Sequence, residues 1–258
     1  MPSKRGNADT VVVAGRIAVV VVVFGAWEGL VRAGVLPVFF FGQPSVIAAK
    51  AYAYLLDGSL LHNCWVTISE TVIGFVAGML LGSVLGLSMW FSRPAARIVE
   101  PFLVMFNATP KIALAPMLVL YLGITYWMKV ALSFSVVVVI AWMVAYEGSR
   151  AVDSDLVRLL YSLSASRWQV FTKVVVPSCL SWIISSFRLC IGFSLTGAVV
   201  GEFISANAGL GWFINFSSSV YELNDVWVGL LSLMILATVL NLGVDRIERR
   251  LLAWRGAT

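Results

Sequence analysis

Residues 65–90 read WVTISETVIGFVAGMLLGSVLGLSMW. A helix rises 1.5 Å per residue, and about 20 mainly apolar residues cover the hydrocarbon of a bilayer. This stretch is long enough to cross. It carries tryptophan at both ends, where amphipathic rings sit at membrane interfaces. Gly74, Gly78, Gly82 and Gly86 recur every four residues and line one helix face. Such a stripe lets a second helix backbone come close, either inside the subunit or at a seam between copies.

Five more segments on either side have the same character: Val11 to Val31, Ile98 to Leu122 with Pro110 and Pro116 inside it, Met128 to Ala145, Val174 to Ile204, and Val226 to Val244. Runs such as Val136-Val137-Val138-Val139-Ile140 do not argue for strands, because open sheet edges cannot stand in lipid and a barrel strand needs only about ten residues. The first segment is too long for a signal-peptide core, and no A-x-A site follows it. The chain of 258 residues is 60% hydrophobic and only 12% charged, with a mean hydropathy of +0.93. A soluble domain carries roughly 25% charged residues. The fold class read from this is all-α: a polytopic membrane protein with six transmembrane helices.

The charges that remain are placed unevenly. If six spans cross, both termini share a side with Arg93 and Arg97, with the loop holding Arg150, Arg158, Arg167 and Lys173, and with Arg246, Arg249, Arg250 and Arg255. Counting Lys4, Arg5 and Arg16, that side takes thirteen of the 18 basic residues; the opposite loops hold Arg32 and Lys50. Cytoplasmic loops collect lysine and arginine, so both termini are expected in the cytoplasm. The net charge of +5 is then a topology signal rather than a nucleic-acid patch, since it is split among four segments.

Catalytic and metal chemistry find little support. Cys64, Cys179 and Cys190 form no CxxC pair, and His62 is the sole histidine, so no zinc site is expected and the cysteines read as small core residues. No G-x-x-x-x-G-K-[ST] sequence is present, so any ATP use belongs to a partner. An intramembrane enzyme would need a nucleophile and base that the spans lack. A stand-alone secondary transporter would show an inverted repeat; the two halves show none clearly, though the prolines of the third span hint at a broken helix.

Two loops have internal structure. A short surface helix is expected around Ser45 to Leu56. Between the fourth and fifth spans, Asp153 can cap a helix on which Leu156, Leu159, Leu160 and Leu163 share one face. Ser166 and Gln169 then fit a capping box, and Pro177 suits the first turn of the fifth span. An amphipathic helix-turn-helix of this kind either lies on the membrane or docks a cytosolic partner, and the pattern alone leaves both open.

Residues 146–202, YEGSRAVDSDLVRLLYSLSASRWQVFTKVVVPSCLSWIISSFRLCIGFSLTGAVVGE, resemble the signature loop of permease subunits in binding-protein-dependent ABC importers. Gly148, Asp153, Ala165, Ser166 and Pro177 match that pattern; Arg158, Leu159 and Leu160 stand where E-A-A is usual, and Ser164 where glycine is usual. Residues 107–123 (NATPKIALAPMLVLYLG), 208–214 (AGLGWFI) and 248–254 (ERRLLAW) resemble the nitrate/sulfonate/taurine-like branch. The resemblance implies a MetI-like fold, with an N-terminal helix and outer loop over 1–64 and a transmembrane core over 65–254. A coupling helix at about 153–171 would dock cytosolic ATPases through Gly148, Asp153, Leu159, Leu160, Leu163, Ser164, Ala165, Ser166 and Pro177. It further implies a homodimer in the bacterial inner membrane, fed by an extracytoplasmic solute-binding protein, with no cofactor of its own.

Ionisable groups inside a span are costly and default to functional hypotheses. Arg188 lies roughly 16 Å of helix past Pro177, near mid-membrane; it could face the pathway and favour an anion, or pair with a carboxylate and lock the fold. Glu202, near the outer end, could serve a gate or a structural ion pair. Lys111 could reach the pathway through the proline kink or snorkel towards water.

Overall fold

The structure, a computed structural model, describes residues 3–253; of residues 3–11 and 13 the side chains are not described. Trp254 and Arg255 lie outside the described residues, as do the side chains of Lys4 and Arg5. Among the described residues all regular structure is helical.

Among the described residues, five helices or helix segments are long and apolar enough to cross a membrane: Ala14–Arg32, Ser59–Phe91, Tyr126–Arg150, Phe187–Ile204 and Leu223–Leu251. A bent pair, Arg93–Ala108 and Lys111–Leu122, passes the same test together and turns through 88°. The cause of the bend is in the sequence. Thr109 and Pro110 are extended, a 3₁₀ turn covers Lys111–Leu114, and Pro116 occupies the first turn of the next helix. A proline is tolerated there because its missing N–H would have had no partner.

The chain divides into two compact units, Met1–Leu61 with Phe213–Leu231, and His62–Trp212 with Ser232–Thr258. In the first unit, α1 (Ser3–Arg32), the single turn α2 (Val38–Phe41) and α3 (Pro44–Leu56) follow one another. Glu28 on α1 accepts hydrogen bonds from Gln43 and from the backbone N–H and hydroxyl of Ser45, so it ties α1 to the start of α3. Trp27 packs on Trp227, with ring centroids 4.7 Å apart. Lys50 bridges to Glu222 at 2.8 Å and to Asp225 at 3.1 Å, and Tyr54 donates to Asp225. Burial alone would lower the Lys50 pKa; the hydrogen bonds and negative charges of Glu222 and Asp225 outweigh it and hold the ammonium above its ordinary value.

The second unit is built around α7 (Tyr126–Arg150). Helix α4 (Ser59–Ser88) lays its glycine stripe against it: a Cβ added at Gly74, Gly78, Gly82 or Gly86 would strike Ser133, Val137, Ala141 or Ala145 in turn. Both series rise together, so α4 and α7 run in the same direction. Two parallel crossings require the chain to return between them, and only α5 (Arg93–Ala108) and α6 (Ala115–Leu122) lie there. The bent pair therefore counts as one net crossing, which brings the candidate spans among the described residues to six. The glycine stripe thus serves packing within this unit, where it brings two backbones into near contact.

The amphipathic loop forms α8 (Ser154–Ser162) and α9 (Arg167–Val170). A π-helical turn at Phe171–Val175 then leads into α10 (Val176–Ser185). Pro177 has no N–H for the carbonyl four residues back, and its ring would crowd that carbonyl; the wider π turn accommodates this. The expected fifth span, Val174 to Ile204, is not one straight helix. It is broken at Ser186, whose hydroxyl donates to the Ile183 carbonyl at 2.7 Å, and α11 (Phe187–Ile204) is the part that passes as a span. Helix α11 runs antiparallel to α7, with Gly197 against Ser133 and Gly201 against Lys129. The core between them holds Val137, Ala141, Val175, Cys179 and Cys190. α12 (Leu210–Ser219) and α13 (Leu223–Leu251) complete the chain. Outward faces stay apolar: Leu120 on α6 is 81% exposed, and Val19 to Val23 on α1 are all exposed. Such continuous apolar surface fits lipid rather than water.

Candidate functional site

The loop element is assembled by local hydrogen bonds. The Asp153 side chain accepts from the Asp155 N–H at 2.8 Å and starts α8. At the other end the Ala165 N–H reaches the Leu160 carbonyl and the Ser164 N–H the Tyr161 carbonyl, both at 3.0 Å. This is the six-to-one and five-to-two pairing of a Schellman cap, which requires a left-handed residue. Ser164 fills that position with φ of 60°, which gives a conformational reason why glycine is usual there. Ser166 and Gln169 form the reciprocal capping box that begins α9.

Helix α8 has two faces. Ser154, Val157, Arg158 and Tyr161 line a cavity of about 770 Å³ against the ends of α4, α5 and α7. At 100° per residue, Leu156, Leu159, Leu160 and Leu163 fall on nearly the opposite side. Leu159 is 56% exposed and Leu163 70%, Leu156 is exposed, and Leu160 is half-buried. The helix therefore turns its leucines away from its own subunit. Gly148, on the last turn of α7, is buried against the Trp182 ring, where a Cβ would come within 3.1 Å.

The three intramembrane candidates are not brought together. Lys111 sits at the break of the bent span, where its Nζ donates to the Phe106 and Asn107 carbonyls, both at 2.6 Å, and so satisfies the end of α5. It also borders a cavity of about 380 Å³ walled by Leu132, Val136 and Ile140 of α7 and by Phe193, Thr196 and Val200 of α11. Arg188 is paired with Asp245 at 2.6 Å and Glu248 at 3.6 Å, both on α13. Glu202 is fully buried, at 0% exposure. It accepts from the Thr67 hydroxyl at 2.7 Å and from the Gly211 N–H. Thr67 accepts in turn from the Leu210 N–H at 2.9 Å, and Asn63 from Gly209 at 2.8 Å. Gly209 has φ of 108° and lies so close to the Glu202 carboxylate that no Cβ would fit.

A second buried carboxyl, Glu70 at 1% exposure, lies beside Glu202, with buried Lys129 as the cation in reach. Sequence reasoning passed over Glu70. The signal was present: it is the sole charged residue of the second span. Among the described residues no group of histidine, cysteine, aspartate or glutamate could hold a metal ion.

Residues 74–253 match the family described as the binding-protein-dependent transport system inner membrane component. The formylaminopyrimidine transport permease ThiX of Halalkalibacterium halodurans is 30% identical over 189 residues, 73% of this chain and 76% of that protein. The taurine transport permease TauC of Escherichia coli is 25% identical over 245 residues, 93% and 89% of the two chains. The fold is that of an inward-facing MetNI methionine ABC transporter chain, with a TM-score of 0.66 at 18% identity, over 76% of this chain and 97% of that one. The family match covers most of the expected transmembrane core, and the chain belongs to the inner-membrane permease family of binding-protein-dependent ABC importers.

Proposed function

We propose that this permease forms the pathway for a small organic anion of the sulfonate or taurine kind, pairs with a second copy, and is driven through α8 by cytosolic ATPases. Residues 65–254 act as the transport core, and residues 1–64 as an added helix and outer loop. Both termini face the cytoplasm, and a solute-binding protein delivers to the opposite side. ATP-driven closure of the ATPases draws the two coupling helices together and opens the pathway outward; hydrolysis releases them. The solute class is supported by relatives named for taurine and aliphatic sulfonates. Others are named for formylaminopyrimidine and riboflavin, so charge at the pathway matters to the choice. Lys111 is the cation whose surroundings favour a pathway role, at the bend of a broken span beside a cavity. Arg188 and Glu202, held by carboxylates and by the Thr67–Gly211 cage, have surroundings that favour positioning the helices.

The observation that carries the coupling role is the outward leucine face of α8. An amphipathic helix whose polar side faces a cavity of its own subunit leaves its apolar side for a partner. Full burial of a leucine is worth roughly 1.5–3 kcal/mol. Scaled by the exposure of Leu159 and Leu163, docking would gain about 1–2 kcal/mol from each. Leu159→Asp should leave the protein in the membrane, while ATPase co-purification and solute uptake collapse. Leu160→Asp, at a half-buried position, would also disturb α8 and is the less clean test. Normal uptake and ATPase retention in Leu159→Asp would refute the coupling role, and labelling of Ser218→Cys only from the cytoplasmic side would refute the orientation.

A further inference from the structure

The cavity behind α8 is unusual in its charge. Of the side chains lining it, five are arginines, Arg93, Arg97, Arg150, Arg158 and Arg167, against one carboxylate, Glu100. Three of the five are engaged. Arg150 is 3.5 Å from Glu100 and 3.9 Å from Glu147, and Arg158 is 3.7 Å from Asp155. Arg167 donates to the Phe91 carbonyl and lies over the Trp90 and Phe91 rings, at 5.6 and 5.7 Å. Arg93 and Arg97 make no side-chain hydrogen bond or ion pair among the described residues. They stand one turn apart at the start of α5, a helix with no acidic residue in its first turn. That end already carries the positive pole of the helix dipole. Two exposed guanidinium groups there, with Glu100 already shared by Arg150, leave an excess of positive potential.

The location says which anions are available. The spans Ser59–Phe91 and Tyr126–Arg150 both end at this cavity, and the bent span begins there. Trp90, at the end of the second span, lines it as well. This is the interfacial level of the bilayer, where lipid phosphates lie and where basic pockets between helices take anionic headgroups. The volume, about 770 Å³, falls within the roughly 300–1,000 Å³ common for small-ligand sites. Guanidinium forks suit the paired oxygens of a phosphate.

We propose that this cavity binds a phosphate-type oxyanion, with Arg93 and Arg97 as its principal donors and the headgroup of an anionic phospholipid as the natural source. The site is distinct from the solute pathway and from the leucine face of α8. Because one of its walls is the polar face of α8, occupancy would hold that helix against the ends of α5 and α7.

The test uses the full chain in nanodiscs or as a detergent complex, examined by native mass spectrometry. Three probes are titrated: phosphatidylglycerol, phosphatidylethanolamine and inorganic phosphate. Preferential retention of phosphatidylglycerol, weakened about tenfold or more in Arg93→Gln/Arg97→Gln, supports the site and its lipid source. Saturable retention of inorganic phosphate that is lost in the same variant, without preference for phosphatidylglycerol, supports the oxyanion site but assigns it a soluble source. Arg246→Gln/Arg249→Gln, on α13, should bind as the parent does. Equal retention of both lipids with no phosphate binding overturns the proposal, as does binding that the Arg93/Arg97 variant leaves unchanged. Loss of ATPase from the Arg93/Arg97 variant with anion binding intact also overturns it, because the arginines would then serve protein docking.

Discussion

Thr67→Val should destabilise the permease well beyond what its size suggests. The substitution replaces a hydroxyl by a methyl and leaves no cavity. The hydroxyl, however, meets the Glu202 carboxylate at 2.7 Å and receives the Leu210 N–H at 2.9 Å, and Thr67 and Glu202 are both fully buried. A hydrogen bond to a charged group contributes about 1.5–3 kcal/mol, and a buried backbone donor left unpaired costs about 1–3 kcal/mol. The sum, allowing for partial relaxation, is about 3 kcal/mol. For a chain of this size each kcal/mol moves the melting temperature by about 2–4 °C, so a fall of about 6–12 °C is expected. Cys179 and Cys190 are free and buried in the core of the same unit. With the half-buried Cys64 replaced by serine, a thiol-reactive fluorophore followed during heating in detergent therefore reports the transition. Thr67→Ser keeps the hydroxyl and should lose far less. A Thr67→Val protein that melts within 2 °C or so of the parent would refute the reading that this cage holds residues 209–211 to α4.

Ser164→Gly should stabilise the α8–α9 turn, because a non-glycine residue in the left-handed region costs about 1–2 kcal/mol and the cap itself is kept; slower proteolysis of the loop, with uptake unchanged, would show it. Gly82→Val should prevent α4 from reaching α7, since even a Cβ at that position would run into Ala141 at 2.7 Å and the Val138 carbonyl; the expected result is loss of the folded protein from the membrane fraction, and normal yield and melting would count against the packing described. In the first unit, the folded Lys50 pKa is raised, so its contribution is full below the ordinary lysine pKa and is lost as pH rises through the higher folded value. Protection of the α3 amides, taken against the unfolded-chain exchange rate at each pH, should accordingly fall only above about pH 10.5. Lys50→Met should remove that step, and an unchanged profile would argue against the bridge to Glu222 and Asp225.

What the sequence made legible is what is decided locally. The spans were readable because an uninterrupted apolar run has one compatible solvent. The boundaries of α8 and α9 were readable because Asp153, Ser166 and Gln169 act within three residues of themselves. The four-residue glycine repeat on α4 announced a close contact, though not that α7 would supply it. The third span's prolines marked a break, while its 88° angle depends on what surrounds it. Partners distant in sequence stayed hidden. Arg188 offered two readings, and only the placement of α13 brings Asp245 and Glu248, one turn apart on the same face, within reach. Glu70 drew no notice although its cost inside a span was calculable, because its neighbours Glu202 and Lys129 come from two other helices. The orientation of α8 is the most instructive case. Its periodicity fixes that the leucines share a face, and periodicity is silent about direction. A helix on a soluble core would turn that face inward. Here the polar face is the one turned to the cavity, whose far walls present tryptophan, arginine and glutamate from the span ends. The direction of the leucines is therefore set by the chemistry of the span ends beneath them. That same chemistry, rich in cations at the ends of the spans, leaves the element an outward apolar face and an inward cationic one.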